Sequence, residues 1–155
     1  MHIDIHHHYD AAPDRVHAML TDPAFWQFAL DGQVDSCQVD AVADGVTIQL
    51  GMAAPSQVSR FTGDTIQATL KATWASQGSD TWQGPITIDP GKLPGDFTGS
   101  STIAPAGDGT DVTYDGNFTI KIPLLGKTIE EKALPYMTGV LDAQQVKGAE
   151  WLVSH

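Results

Sequence analysis

The chain reads as an α+β protein in which an antiparallel sheet is closed against one long C-terminal helix. Three observations predict this. From Val112 to Ile122 the residues alternate, with Val112, Tyr114, Gly116, Phe118, Ile120 and Ile122 on one face and Thr113, Asp115, Asn117, Thr119 and Lys121 on the other. That period of two marks a half-buried strand. After Pro123 the period changes: Leu125, Ile129, Ala133, Tyr136, Met137, Val140, Gln144, Gly148 and Trp151 recur at three- and four-residue steps, a helical stripe. Upstream, from Val34 onward, alternating runs are joined by short turn signals, which predicts an antiparallel meander. A helix of this length would run about 40 Å at 1.5 Å per residue. Its apolar side needs a concave surface of similar length, and the strands must supply it.

In chain order, Met1–Tyr9 predicts a strand with Ile3, Ile5, His7 and Tyr9 inward and His2, Asp4, His6 and His8 outward. Two short helices follow. Pro13 suits a first helical turn, with Val16, Met19 and Leu20 as its apolar side. Asp22-Pro23 repeats the signal as a capping carboxylate followed by proline, and this helix carries Phe25, Trp26, Phe28 and Leu30 up to Asp31-Gly32. Residues 33–42 and 46–52 form two strands around an Asp44-Gly45 turn. Ala54–Asp64 breaks the alternation and predicts a short helix or ordered loop. Thr65–Ser76 places Ile66, Ala68, Leu70, Ala72 and Trp74 together, and Gln77-Gly78-Ser79 makes the turn. Asp80–Asp89 aligns Trp82, Gly84, Ile86 and Ile88, with a bulge or irregular pairing expected at Pro85, which has no N–H to give. After a loop at 90–94, Gly95–Pro105 puts Phe97, Gly99, Ser101 and Ile103 on one side, and Asp108-Gly109 turns the chain into the last strand. Pro135 lies inside the helical stripe, so a kink near Glu131–Leu134 is expected to divide it into 126–134 and 135–153.

With 155 residues the chain has the length of one domain, 1–155, with a sizeable core. Only 8 Lys and Arg stand against 19 Asp and Glu, for a formal net charge of -11. A groove tracking phosphates needs clustered cations, so the composition argues against nucleic acid and against an anionic membrane surface as partners. No apolar run reaches transmembrane length, and the N-terminal residues carry no secretory pattern. Cys37 is the single cysteine, which fits a reducing compartment. A cytoplasmic protein without membrane insertion is the expectation.

The order of elements resembles the SRPBCC superfamily of START-like, pollen-allergen-like and polyketide-cyclase-like proteins. The opening His7-Tyr9-Asp10-Ala11-Ala12-Pro13, with Val16, Leu20, Thr21-Asp22-Pro23 and Phe25-Trp26, is similar to its strand-to-helix entry. The run Lys121-Ile122-Pro123-Leu124-Leu125-Gly126-Lys127 into Ile129-Glu130 resembles a mainly actinobacterial family of unknown function within it, as do Ser79-Asp80-Thr81-Trp82 and Gly91-Lys92-Leu93-Pro94-Gly95. The resemblance implies a helix-grip fold, in which a curved seven-stranded antiparallel sheet wraps the long C-terminal helix over an apolar cavity. It also implies a hydrophobic small molecule, a lipid, polyketide or similar, as partner. Two alternatives stay open: a cyclase- or dehydratase-type enzyme acting on such a ligand, and a regulatory or interaction module with a filled cavity.

The expected ligand-binding residues are the inward aromatic and polar side chains His7, Tyr9, Trp74, Trp82, Phe97, Tyr114 and Phe118, with Tyr136, Met137, Val140 and Gln144 from the helix. The same side chains would also build an ordinary core. Small residues among them, Ala68, Ala72, Gly84, Gly99, Ser101, Gly116 and Ala133, argue for unfilled volume. No Gly-x-Ser-x-Gly elbow and no cysteine motif is present, so no catalytic residue is assigned. The outward His2, Asp4, His6 and His8 read either as a metal-binding face or as a polar strand face; no metal or other cofactor is assigned. Residues 54–64 and 91–95 are the expected mobile entrance.

Overall fold

The computed structural model describes residues 1–155. Its elements are β1 (His2–Tyr9), α1 (Pro13–Leu20), α2 (Pro23–Leu30), β2 (Ser36–Val42), β3 (Gly45–Ala53), α3 (Ser59–Thr62), β4 (Thr65–Thr73), β5 (Ala75–Gly78), β6 (Thr81–Asp89), β7 (Gly95–Ala106), β8 (Gly109–Ile120) and α4 (Gly126–Ser154). The main path of the sheet runs β1-β8-β7-β6-β4-β3-β2, and β5 pairs only with β6. Every pairing is antiparallel. This is the helix-grip arrangement, with an eighth short strand beyond the seven expected.

That extra strand arises because Thr65–Ser76 is two strands divided at Trp74. β4 and β6 pair from Thr69↔Asp89 to Ala72↔Ile86, and β5 resumes against β6 at Ala75↔Gln83. The count on the two sides is equal, so the ladder is interrupted at Thr73-Trp74 opposite Gly84-Pro85 without a bulge. Pro85 has no N–H to give there, and the Trp74 N–H goes instead to the Asp44 carbonyl, 2.8 Å away. On its other side β6 keeps an unbroken register with β7 through Pro85↔Ser100. The irregularity expected at Pro85 therefore occurs on one edge only.

Three turns sit one or two residues away from their expected positions. Val42↔Gly45 and Ala106↔Gly109 are already ladder pairs, so Ala43-Asp44 and Gly107-Asp108 make those two-residue turns. Asp44 and Gly107 adopt the positive φ, each at 59°, that such hairpins demand. Gly45 and Gly109 answer a different need: a Cβ on either would strike the backbone of the adjacent strand, at Ala72 and Tyr9 respectively. The third turn is Ser79-Asp80, closed by Gly78↔Thr81.

The helices close one side of the sheet. Pro13 and Pro23 open α1 and α2, and the Asp22 side chain accepts the Ala24 N–H at 2.9 Å. The two are locked together by Trp26, whose indole N–H donates to the Leu20 carbonyl at 2.8 Å. Residues 54–64 hold the four-residue α3, and the Ala54 N–H closes that segment onto the Asp64 carbonyl at 2.9 Å. β8 stops at Ile120 rather than Ile122. The Glu130 carboxylate of α4 reaches back to accept the Ile120 N–H at 3.2 Å, tying the helix start to the end of the strand.

α4 is one unbroken helix of 29 residues, not two. Pro135 lacks the N–H that would bond the Glu131 carbonyl, but both residues face solvent, where water can serve that carbonyl. The Thr138 hydroxyl adds a bond to the Leu134 carbonyl at 3.1 Å across the same turn. No helix, α4 included, is long and apolar enough to cross a membrane. The helix lies against β1, β8, α1 and α2, so it covers one half of the concave face closely.

The contact that seats it is Gly148 on Tyr9: a Cβ at 148 would lie 2.6 Å from the Tyr9 ring. Gly148→Val is expected to destabilise the fold by about 1–3 kcal/mol, the usual cost of overpacking, read as a lower urea midpoint. Pro135→Ala is expected to raise that midpoint, by up to about 3 kcal/mol, since it restores an N–H to an exposed helical position.

Candidate functional site

The inward parity of each strand, carried across the sheet by the ladder register, stacks the interior side chains in rows. One row runs Gly84↔Ser101, Ser101↔Tyr114, Tyr114↔Ile5. The next runs Trp82↔Ile103, Ile103↔Val112, Val112↔His7. Tyr9 follows, opposite Thr110. One step to the other side, Gly99 pairs with Gly116, and beyond them Phe97 with Phe118. Side chains on one face repeat every ~7 Å along a strand, so His7, Tyr9, Ser101 and Tyr114 fall in adjoining positions on three neighbouring strands.

α4 completes this cluster. The Gln144 side-chain amide donates to the Tyr114 hydroxyl at 2.8 Å, a fully buried bond. The His7 ring packs edge-on against Tyr114, centroids 5.6 Å apart, and against Tyr9 at 6.3 Å. His7, Tyr9, Ser101 and Gln144 are all 2 % exposed or less. Several of their polar atoms have no partner in the protein: both His7 ring nitrogens, the Tyr9 hydroxyl and the Ser101 hydroxyl; the Trp74 indole N–H, which the parity of β4 puts on the same face, has none either. A buried polar group left unpaired costs about 1–3 kcal/mol. A fold that carries several on one surface is strained there unless something bonds them.

Burial sets the protonation of this cluster. It lowers the His7 pKa from its ordinary value, and the Asp142 carboxylate only partly offsets the effect. It pushes the Tyr114 phenol up to about 12, against the Gln144 bond, which favours the phenolate. Tyr9 is raised further by burial, with Tyr114 adding to it and the Gln144 amide, whose direct bond goes to Tyr114, opposing it. The interior is therefore uncharged near neutral pH: a neutral imidazole with one N–H and one lone pair, and two protonated phenols.

An apolar margin adjoins the polar cluster. Towards the β2–β3–β4 end the inward residues Cys37, Leu50, Ile66, Leu70 and Ile88 are only half-buried. The facing side of α4 offers Met137 and Val140, also half-buried.

Of the expected site residues, His7, Tyr9, Tyr114 and Gln144 come together. Trp74, Phe97 and Phe118 are buried on the same concave face. Trp82 is half-buried and stacks on His17 of α1, centroids 4.6 Å apart and planes 13° from parallel. Tyr136 does not join them: it is 65 % exposed, on the outer side of α4. It follows Pro135 and precedes Met137, and at 100° per residue only one of Tyr136 and Met137 can face the sheet squarely. The small residues also do something other than leave room. A Cβ on Gly84 or Gly99 would strike the neighbouring strand's backbone, at Thr73 and Asp115, and the Phe97 ring already covers Gly116. These glycines let the strands bend closely past one another.

Two concavities stand out, and both lie outside the sheet–helix interior. One, of about 540 Å³, is lined by Thr69, Lys71, Thr87, Asp89, Asp96 and Thr98, whose parity puts them on the outer face. The other, of about 190 Å³, lies between α1 and the end of α4, at Arg15, Met19, Trp151 and His155. On the outer face of β1 each histidine has its own carboxylate: His2 with Asp115 at 2.9 Å, His6 with Asp4 at 3.0 Å and His8 with Asp111 at 2.6 Å. No three His, Cys, Asp or Glu side chains are grouped to hold a metal ion.

Ser101 is the interior group that residue-by-residue reading passed over. It appeared as a small residue, yet it is the one hydroxyl in the inward series Phe97, Gly99, Ser101, Ile103, and that alternation was the available signal. His17, whose Nε2 is buried beneath Trp82 without a partner, had no such signal.

The comparisons with known proteins agree with this architecture. A family model described as a protein of unknown function, DUF2505, matches residues 4–152. No curated protein matches the chain. Among solved structures, the protein TTHA0849 from Thermus thermophilus superposes with a TM-score of 0.69 at 15 % identity, covering 99 % of this chain and 98 % of that one. Norcoclaurine synthase from Thalictrum flavum, in complex with dopamine and hydroxybenzaldehyde, gives 0.64 at 14 % identity over 100 % and 88 %. A STAR-related lipid transfer protein from Xanthomonas axonopodis gives 0.63 at 22 % identity over 95 % and 85 %. At these identities the likeness is one of fold.

The lowered His7 pKa carries a stability consequence. Above its unfolded value, about 6.5, the buried neutral ring contributes fully. As pH falls through that value the unfolded state takes up a proton the folded state resists, and stability is lost. His8, raised by the Asp111 hydrogen bond, acts in the opposite sense at the surface. The urea midpoint is expected to fall less between pH 7.5 and 5.5 in His7→Gln than in the parent, and NMR titration is expected to place the His7 midpoint below the ordinary histidine value.

Proposed function

The chain belongs to the DUF2505 family of proteins of unknown function, and we propose that it binds a small, mainly apolar molecule between its sheet and α4. The observation that carries this reading is the set of buried, unpartnered polar atoms on His7, Tyr9, Ser101 and Trp74, gathered on the concave face. A small-molecule site typically combines an apolar lining with a few convergent polar groups. The half-buried Leu50, Ile66, Leu70 and Ile88, opposite Met137 and Val140, supply the lining. Burial of ligand surface there gives affinity at roughly 25 cal/mol per Å² of apolar area, and the polar atoms give orientation. The entrance is the end bounded by residues 54–64 and 91–95. Two of the structural neighbours, a lipid transfer protein and a synthase holding aromatic molecules, accord with a fold that accommodates such ligands.

Titration with the uncharged fluorophore N-phenyl-1-naphthylamine, alongside native mass spectrometry of the purified protein, tests the reading. The expected outcome is one saturable site with blue-shifted emission, weakened at least about tenfold by Val140→Arg, since a charge beneath the helix is costly to bury. Absence of saturable binding, together with a native mass equal to the bare chain, would overturn it.

A further inference from the structure

The interior polar groups also restrict what the ligand can be, and this inference rests on the binding reading above. We propose that the ligand is an uncharged molecule with carbonyl-type acceptor oxygens, and that free carboxylates and phosphates are excluded.

Two features of the structure lead there. The first is the balance of donors and acceptors. The Trp74 indole can only donate, and its N–H has no partner in a residue 1 % exposed. Tyr9 and Ser101, each also 1 % exposed, have hydroxyls that donate as readily as they accept. The neutral imidazole of His7 offers one N–H. The Tyr9, Ser101 and His7 groups each also carry a lone pair, so the unmatched group on this surface is the Trp74 N–H, and an acceptor oxygen on a bound molecule would complement it. A hydrocarbon would leave it unpaired.

The second feature is charge. The buried polar side chains of the whole protein are His7, Thr62, Ser101, Thr110 and Gln144, and none is a lysine or arginine. An anion drawn into this interior would shed its hydration with no cation to meet it, at a penalty of several kcal/mol per ion. The Asp142 carboxylate, whose field reaches His7, is negative and would repel it. The formal charge of -11 over the whole chain acts in the same direction at long range. A cation would shed its hydration here too, with no buried Asp or Glu to meet it, so an uncharged molecule with an acceptor for the Trp74 N–H satisfies both constraints.

Three molecules on one skeleton separate these requirements: xanthene, xanthone, which adds a carbonyl, and xanthene-9-carboxylate, which adds a charge. Equilibrium dialysis of the protein at pH 7.5 is expected to rank xanthone about tenfold tighter than xanthene, the worth of one or two neutral hydrogen bonds, with the carboxylate weakest. Ser101→Ala and Trp74→Phe are each expected to shrink the ratio of xanthone to xanthene affinity measured in the same variant, with circular dichroism checking that each variant folds. The proposal is overturned if the carboxylate binds as tightly as xanthone, or if the xanthone advantage survives in both variants. Equal binding of all three overturns it while leaving the binding reading intact. Failure of all three and of the uncharged fluorophore to bind overturns both.

Discussion

One turn of α4 decides how the helix meets the sheet. Gly148 lets the Tyr9 ring at the end of β1 lie directly on the helix backbone, where a Cβ would be 2.6 Å from it. Four residues earlier on the same helical face, Gln144 hydrogen-bonds the Tyr114 hydroxyl of β8 at 2.8 Å. A steric contact and a directional bond, one turn apart, fix both the depth and the rotation of the helix. Once that rotation is set, residues at three- and four-step intervals follow: Val140 and Met137 lie towards the sheet, and Tyr136 and Val146 are turned to solvent. At the helix start, the Glu130 carboxylate on the Ile120 N–H anchors the other end. Burial works against ionisation of Glu130, but the Ile120 N–H and the Met1 amine prevail and hold its pKa below the ordinary value.

This seating divides the concave face into two unequal halves. Over β1 and β8, with α1 and α2 alongside, the packing is close, and Val16, Leu20, Ile103 and Val112 are wholly buried. Towards β3 and β4 the helix is not a near neighbour, and the inward aliphatic residues there stay half-buried. The polar cluster lies on the closed side of this division. The interior therefore grades from polar groups at its closed side to aliphatic groups at its open one. Charge is kept out of it. The acidic side chains and the His–Asp pairs of β1 are on the outer face, where solvent screens them and each pair is worth little to stability.

The periodicities carried a large part of this. Alternation in β1, β7 and β8 assigned His7, Tyr9, Phe97, Tyr114 and Phe118 to the concave face, because a strand has only two faces and one must be apolar. The Pro13 and Asp22-Pro23 signals marked both short helices, because proline tolerates a first helical turn and little else. The resemblance to the helix-grip superfamily extended those local readings to a topology, and the family match and structural neighbours agree with it. Where Asp-Gly was read as a turn, the glycine proved to serve the next strand, since a close approach between backbones leaves the same residue type as a positive φ does.

By itself, then, the sequence determined the order of elements, the two faces of each strand and the apolar stripe of α4, all of which follow from local repeats of two and 3.6 residues. Only the tertiary structure decided which stripe residues reach the interior. Tyr136 and Met137 are adjacent on the predicted stripe, and the Tyr9–Gly148 and Gln144–Tyr114 contacts, made by residues far apart in the chain, turn one out and the other in. The same holds for Pro135, whose missing N–H breaks a buried helix but is tolerated on a solvent-facing turn. It holds too for Ser101 and Trp74, whose unpaired polar atoms become meaningful only when the sheet brings them onto its concave face.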